Sequence, residues 1–267
     1  MIGAGNVAWH FSHALKKAGY EPAGIYSRTI AHAAHLSTDL SCEAFNKLND
    51  IPTNAGIYII AVKDDAISQI VPMLGKRIPS SLIVHTAGSV SIDVFKNSGI
   101  IRYGVVYPLQ TLSEKRTIDF GKVPLFIEGC NTDTEQMLYK LASSISDIQP
   151  QFTDSVNRKK LHLAAVFASN FANHCFTCAK ELINNANIDF EELLPLIDET
   201  CAKIHDLDPV EAQTGPAVRY DTKVMQSQAN LLDGNMRRIY EVMSKSIHEV
   251  QQNYDKLRFN KDKSAGV

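Results

Sequence analysis

Gly3-Ala4-Gly5-Asn6-Val7-Ala8 opens the chain, and Ser27-Arg28-Thr29 follows where a second strand should end. The first string has the form of a strand-to-helix turn that holds phosphate. Gly3 permits the tight turn, Gly5 lets backbone approach a pyrophosphate, and Ala8 keeps the helix close to the sheet. The N–H groups of the first helical turn have no acceptor within the helix and carry partial positive charge, so they favour an anion. An amphipathic helix through Phe11, Leu15 and Ala18 follows, closed by Gly19. The strand Pro22–Ser27 comes next. A dinucleotide fold that takes NAD places an acidic residue about 20 positions beyond the turn, for the ribose hydroxyls. Here that place holds two hydroxyls and a guanidinium, which suit a 2′-phosphate and so predict NADP.

Only Met1 and Ile2 precede Gly3, whereas a central strand usually has about five or six residues. Met1 reads as an internal residue of that strand, an expectation that the natural protein starts upstream. The composition, 45% apolar and 21% charged, is that of a globular protein. A net charge of −2 gives no broad attraction for nucleic acid or anionic membrane. The basic groups Lys16-Lys17, Arg158-Lys159-Lys160 and Arg237-Arg238 read as solvated helix faces. Neither a secretory leader nor an apolar run long enough to span a bilayer is visible. The five cysteines then predict free thiols in a reducing cytoplasm. Cys175-x-x-Cys178 falls inside a helical pattern without ligand partners and reads as packing, not as a metal or redox site.

As far as residue 153, strand and helix patterns alternate, which predicts a parallel sheet covered on both faces. Further strands are expected at Cys42–Phe45, Gly56–Val62, Leu82–Thr86, Ile100–Tyr107, Pro124–Ile127 and Asp147–Phe152, with a helix over Thr132–Ile145. Asp64 or Asp65 should cap the helix after the Gly56 strand, and Ser91 or Asp93 should start a short one. Beyond Asp154 the strand pattern ends. Val156–Ala186 reads as one helix of roughly 45 Å. From His162 to Ala179 it carries no Asp, Glu, Lys or Arg, so it should be buried all round, with a partner subunit completing the burial. Helices are expected over Asp189–Ile204, Thr222–Leu232 and Asn235–Leu257, and a frayed tail from Asn260 to Val267. The fold class is therefore an α/β Rossmann-type, doubly wound, mostly parallel sheet over residues 1–153, then an all-α domain over 154–267.

Ligands of open parallel sheets bind beyond the strands' carboxyl ends. Gly3, Gly5, Asn6, Val7, Ala8, Ser27, Arg28, Thr29, Ala61, Val62, Lys63, His85, Thr86, Ala87 and Gly88 converge there as candidate cofactor contacts. Lys63 reads equally as a solvated loop residue, and His85 as a pocket wall or a core histidine. Pro108, Gln110 and Arg219 are candidates for substrate, although Arg219 with Asp221 also reads as a local ion pair and helix cap. At the start of the long helix His162, Val166, Ser169 and Asn170 share one face. There His162 can donate a proton and Asn170 can orient a carbonyl or imine. Lys160 lies a turn earlier.

These strings, with Ala61-Val-Lys-Asp-Asp-Ala-Ile67, His85-Thr-Ala-Gly-Ser89, Tyr107-Pro-Leu-Gln-Thr111, His162–Asn170 and Thr214-Gly-Pro-Ala-Val-Arg219, resemble one family across essentially the whole chain. It is the group of provisionally named NADP oxidoreductases that join a Rossmann-like domain to a C-terminal helical domain of unknown function. Its relatives are pyrroline-5-carboxylate reductase, the deazaflavin-dependent NADP oxidoreductases and the 6-phosphogluconate dehydrogenase group. The resemblance implies an NADP-binding domain, a helical dimerisation domain forming a homodimer, and a cleft between the two domains. It implies no substrate. Tyr107 stands where many relatives carry a His-Pro pair, and Tyr220 replaces a small residue. In the wider hydroxyacid dehydrogenase group a lysine on the long helix donates the proton; no clean counterpart of that motif is present here, and Lys160 is a candidate. The expected function is NADPH-dependent reduction of a small imine, keto acid or related carbonyl compound. A non-catalytic NADP(H)-binding sensor or scaffold is the alternative, and a relative with a degraded site a third reading.

Overall fold

In the computed structural model, which describes residues 1–265 apart from Asn185 and Asn187, and side chains through Asn260, Ile2 joins two sets of strands. It bridges Tyr26 of β1 (Ile25–Tyr26) and Ile60 of β3 (Ile57–Ile60), parallel to both. β1 pairs outward with β2 (Ala44–Phe45), and β3 pairs inward with β4 (Leu82–His85) and then β5 (Arg102–Pro108), all parallel. β6 (Leu125–Gly129) runs antiparallel to β5, and β7 (Gln151–Phe152) parallel to β6. The sheet is thus the expected mostly parallel one, with its direction reversed at one side.

Its two faces bury alternate residues of the same strands. Tyr58, Ile60 and Ile83 pack with Ile67, Val71 and Leu74 of α3 (Asp64–Arg77). Ile59, Val84 and Val106 pack with Phe11 of α1 (Asn6–Lys17) and Leu138 of α4 (Thr132–Ile145). Each fully buried branched side chain contributes about 1.5–3 kcal/mol. α2 (Ile30–Leu40) covers β1 and β2 through Ala33, Leu36 and Leu40. Ser91 caps the short 3₁₀ turn Ile92–Phe95, as the sequence predicts. Asp64 and Asp65 do not cap α3. Lys63 is its N-cap residue, without a side-chain bond, and both aspartates lie inside the first turn, where Asp64 accepts a hydrogen bond from the Ser89 hydroxyl.

The chain forms two compact units, Met1–Ala172 and Asn173–Val267, divided within the long helix. That helix comprises α5 (Ser155–Ala165), a π-helical segment (Val166–Phe171) and α6 (Ala172–Ile183). The burial expected all round it is not found within this chain, since α6 has no buried residue. The second unit adds α7 (Leu194–Asp206), α8 (Pro209–Ala212), α9 (Thr222–Ala229) and α10 (Gly234–Ala265). Helical backbone therefore continues through most of the expected frayed tail, whose last two residues lie outside the described ones. Burial pushes the Cys175 thiol up, which disfavours a reactive thiolate in Cys175-x-x-Cys178. Among the described residues no helix is long and apolar enough to cross a membrane, and no group of three or more His, Cys, Asp or Glu could hold a metal ion.

A cavity of about 620 Å³ opens at the amino ends of the strands, lined by Tyr20, Tyr26, Phe45, Tyr58 and Met137. It flanks Met1, whose backbone nitrogen donates to the Gly24 carbonyl (2.9 Å). This hollow lies at the opposite ends of the strands from the expected ligand cleft, and its lining is mainly apolar.

Candidate cofactor and proton-donor site

The register puts the candidate cofactor residues side by side. Ile2 pairs with Tyr26 and Ile60, and Ile60 with His85, so Gly3, Ser27, Ala61 and Thr86 each take the next step at one level of the sheet. Backbone bonds fix that level: Gly3 N–H to Tyr26 O (2.8 Å), Ala61 N–H to Ile2 O (2.7 Å) and Thr86 N–H to Ile60 O (3.1 Å). Gly3 has φ +116°, a backbone that side chains rarely adopt, and a Cβ there would collide with the Ala61 carbonyl. Gly5 differs: its φ is −95°, open to any residue, and a Cβ would meet no atom within 4 Å. Local packing therefore does not require glycine at position 5.

From Gly5 the chain enters α1. The first helical bond runs from Trp9 N–H to Gly5 O (2.9 Å), which leaves the Asn6, Val7 and Ala8 N–H groups without an acceptor inside the helix. No acidic residue occupies the first turn, and Lys16 and Lys17 occupy the last, so the charge distribution complements the helix dipole and leaves the amino end free for an anion. Lys16 is not simply solvated, for its ammonium donates to Leu40 O (2.7 Å). The Asn6 side chain is committed elsewhere: it accepts from Glu114 N–H (3.2 Å), while His10 bonds Ser113 O (2.9 Å). The loop after β5 is thereby pinned to α1 beside the glycine turn, a contact the sequence did not suggest. Arg28 and Thr29 are exposed beyond β1, with Ser27 half-buried and Thr29 at the N-cap of α2. Nothing in that arrangement supplies a carboxylate for a ribose diol.

Lys63 is exposed, Val62 half-buried, and Ala87 half-buried on the β4 loop. The His85 side chain turns into the core. It is fully buried, stacks on Phe95 (5.7 Å between centroids) and accepts from Ala87 N–H at Nδ1 (3.2 Å). Burial, reinforced by the Arg158 guanidinium, drives its pKa from 6.5 down to about 3. The unfolded chain protonates His85 below about pH 6.5 while the folded one does not, so acid favours unfolding. Urea unfolding should lose roughly 2–3 kcal/mol between pH 6.5 and 4.5. In His85→Gln that pH dependence should shrink markedly, and an unaltered slope would refute the assignment.

The His162 ring lies over the other side of this loop. A Cβ on Gly88 would stand 2.7 Å from its Cγ and Nδ1, so only glycine leaves room for it. The Tyr107 hydroxyl is 3.0 Å from Nδ1, and the two rings meet edge to face at 5.8 Å. Burial raises the Tyr107 pKa, opposed by the Arg158 guanidinium, and the hydroxyl keeps its proton. One turn before His162, Arg158 is fully buried, against its expected place on a solvated basic face. It pairs with Glu128, donates to Val90 O (2.6 Å) and donates to the Ser155 hydroxyl (3.2 Å). Ser155 in turn donates to Glu128 through its N–H and its hydroxyl, and accepts from Ile92 N–H (2.9 Å). α5 is thus stitched both to β6 and to the loop that carries Gly88.

Lys160 and Asn170 are exposed, and Ser169 is half-buried. The π-helical segment alters the expected shared face. A straight α-helix places Ser169 nearer than Asn170 to the His162 line. In i→i+5 bonding each residue advances less, about 80° in place of 100°, which brings Asn170 toward that line and swings Ser169 off it. Pro108, buried, ends β5, while Gln110 is exposed and its Oε1 accepts from Thr111 N–H (2.8 Å). Arg219 belongs to the second unit and is exposed, with no ion pair among the described residues. Of the local pairing expected there, the cap half is present: Asp221 accepts from Val224 N–H (3.2 Å). Tyr220, at φ 53°, stacks on His248 at 4.1 Å.

A protein of Bacteroides fragilis, provisionally described as an NADP oxidoreductase, is 41% identical over 93% of this chain and 96% of its own, with a TM-score of 0.88. The chain belongs to that NADP oxidoreductase-like family. The domain of unknown function DUF2520 matches residues 123–247. Two solved enzymes share the fold. One is an imine reductase of Myxococcus stipitatus in complex with NADP+ (16% identity, TM-score 0.66, 96% of this chain and 93% of that one). The other is a pyrroline-5-carboxylate reductase of Coxiella burnetii (16%, TM-score 0.55, 94% and 96%). No curated protein sequence matches the chain.

Proposed function

We propose that this member of the NADP oxidoreductase-like family is an NADPH-dependent reductase of a small imine, keto acid or related carbonyl compound. Gly5 is the observation that carries the reading. Its backbone needs no glycine and its Cβ direction is empty, yet it adjoins three unpaired N–H groups at the strands' carboxyl ends. A side chain at that point would fill a cradle suited to a pyrophosphate. Ser27, Arg28 and Thr29 hold the 2′-phosphate, and the backbone of Ala61–Lys63 and His85–Gly88 lines the nicotinamide end. Bound NADPH supplies the hydride. His162 donates the proton, with Lys160 as the other candidate on α5, and Asn170, Pro108 and Gln110 shape or orient the substrate site.

The identified relative's description and the NADP+ named with the fold neighbour support this cofactor. Association through the helical unit belongs to the same reading. α6 and α7 have no fully buried residue within this chain and expose Leu182, Leu194, Leu196 and Ile204, apolar groups of the kind a subunit contact covers. Calorimetric titration tests the cofactor. NADPH should bind and Arg28→Ala should weaken it roughly 10- to 100-fold while leaving NADH nearly unaffected. Failure of NADPH to bind the intact chain would sink the reading. Light scattering on the same sample reads the dimer.

A further inference from the structure

We propose that Tyr107 is a positioning residue for proton delivery: its hydroxyl grips Nδ1 of His162 and leaves Nε2 as the atom that serves the substrate. This rests on the reductase reading and names the groups that set its acid. Three observations carry it. The Tyr107 side chain is almost wholly buried, and among the described residues its hydroxyl has one hydrogen-bond partner, Nδ1 of His162 at 3.0 Å. A buried O–H must be satisfied, so on the neutral ring it donates to a bare Nδ1 and the ring proton resides on Nε2. A Cβ on Gly88 would meet the ring at Cβ, Cγ and Nδ1, so the loop lies on the Nδ1 side of the ring. His162 itself is half-buried, not enclosed.

A hydroxyl serves here better than a carbonyl or a carboxylate. A carbonyl accepts only, and would force the proton onto Nδ1 of the neutral ring. Tyrosine donates to Nδ1 when it is bare and accepts from Nδ1–H when the ring is an imidazolium. In the reduction, hydride from NADPH forms the new C–H bond and the Nε2–H bond of the imidazolium breaks, its proton passing to the substrate nitrogen or oxygen. The ring is left transiently in its Nδ1–H form, bonded to the Tyr107 oxygen, until a solvent proton returns to Nε2; between turnovers the resting neutral ring, with Tyr107 donating to Nδ1, keeps its proton on Nε2. The charged and titratable groups around it are Arg158, Lys159 and Lys160 on the same helix, His85 on β4, and Glu128 on β6, which is paired with Arg158.

Nitrogen-15 NMR of histidine-labelled protein tests the claim without a substrate. Loss of a signal in His162→Gln assigns the ring. At pH 8.5, where solvent favours the neutral form, the wild-type ring should carry its proton on Nε2 alone. In Tyr107→Phe, which keeps the packing ring, both tautomers should be populated while the chain stays folded and the NADPH titration is unchanged. A wild-type ring protonated on Nδ1, or tautomer populations identical in Tyr107→Phe, would overturn the proposal. Should the variant fail to fold, the wild-type measurement alone decides. Absence of NADPH binding would instead count against the reductase reading and leave the tautomer result standing.

Discussion

Arg158→Met should destabilise the first unit by about 3–5 kcal/mol, measured by urea unfolding at pH 7.5. The guanidinium is fully buried and its partner Glu128 nearly so. Removing the cation leaves a carboxylate in low dielectric with, among the described residues, Ser155 alone to hold it, and an unpaired buried charge costs far more than a missing contact. The same change strips a donor from Val90 O. Replacing both charges, as Arg158→Met with Glu128→Leu, should recover most of the loss, because apolar pairs of similar volume commonly match buried ion pairs. If Arg158→Met costs under about 1 kcal/mol, in the range of a surface pair, the site has been misread. Additional loss of order around His162, one turn on, should accompany the single variant.

Arg158 also marks where sequence reading runs out. In the string Arg158-Lys159-Lys160 it is indistinguishable from its solvated neighbours, because its partner Glu128 lies 30 positions earlier on another element. Tyr107 and His162 are 55 positions apart, and no local pattern predicts that a strand-end phenol meets a helix imidazole. The π-helical segment Val166–Phe171 contains neither Gly nor Pro, so nothing in its composition warns of a wider turn. The assignment of an α3 cap to Asp64 or Asp65 failed by one position: the helix starts at Asp64, so Lys63 is the cap and both aspartates stand in the first turn. What was legible was local or periodic. Gly19, at φ +89°, closes α1 as read, and α4 spans Thr132–Ile145 as expected. The continuous apolar run Ile57–Ile60 is the central strand, buried on both faces. The long uncharged helix was recognised, but its expected burial was not met within one chain.

The two glycines of the opening turn should separate folding from binding. Gly3→Ala places a Cβ against the Ala61 carbonyl at a left-handed φ, where the backbone penalty alone is roughly 1–2 kcal/mol. The collision is with backbone, so relief requires parting Ile2 from the end of β3, the centre of the sheet. A loss of roughly 3 kcal/mol or more is expected, by analogy with core overpacking. Gly5→Ala meets nothing and needs no unusual dihedral. Its unfolding midpoint should match or slightly exceed that of the wild type, since the unfolded chain loses freedom. Its NADPH affinity should nevertheless fall on the order of 100-fold, about 2.7 kcal/mol, because the added methyl occupies the path of the pyrophosphate to the Asn6–Ala8 N–H groups. Thermal unfolding and NADPH titration of both variants measure the two effects independently. If Gly5→Ala binds NADPH as the wild type does, the empty Cβ direction at position 5 is not the phosphate cradle, and the anion must bind elsewhere along the strand ends.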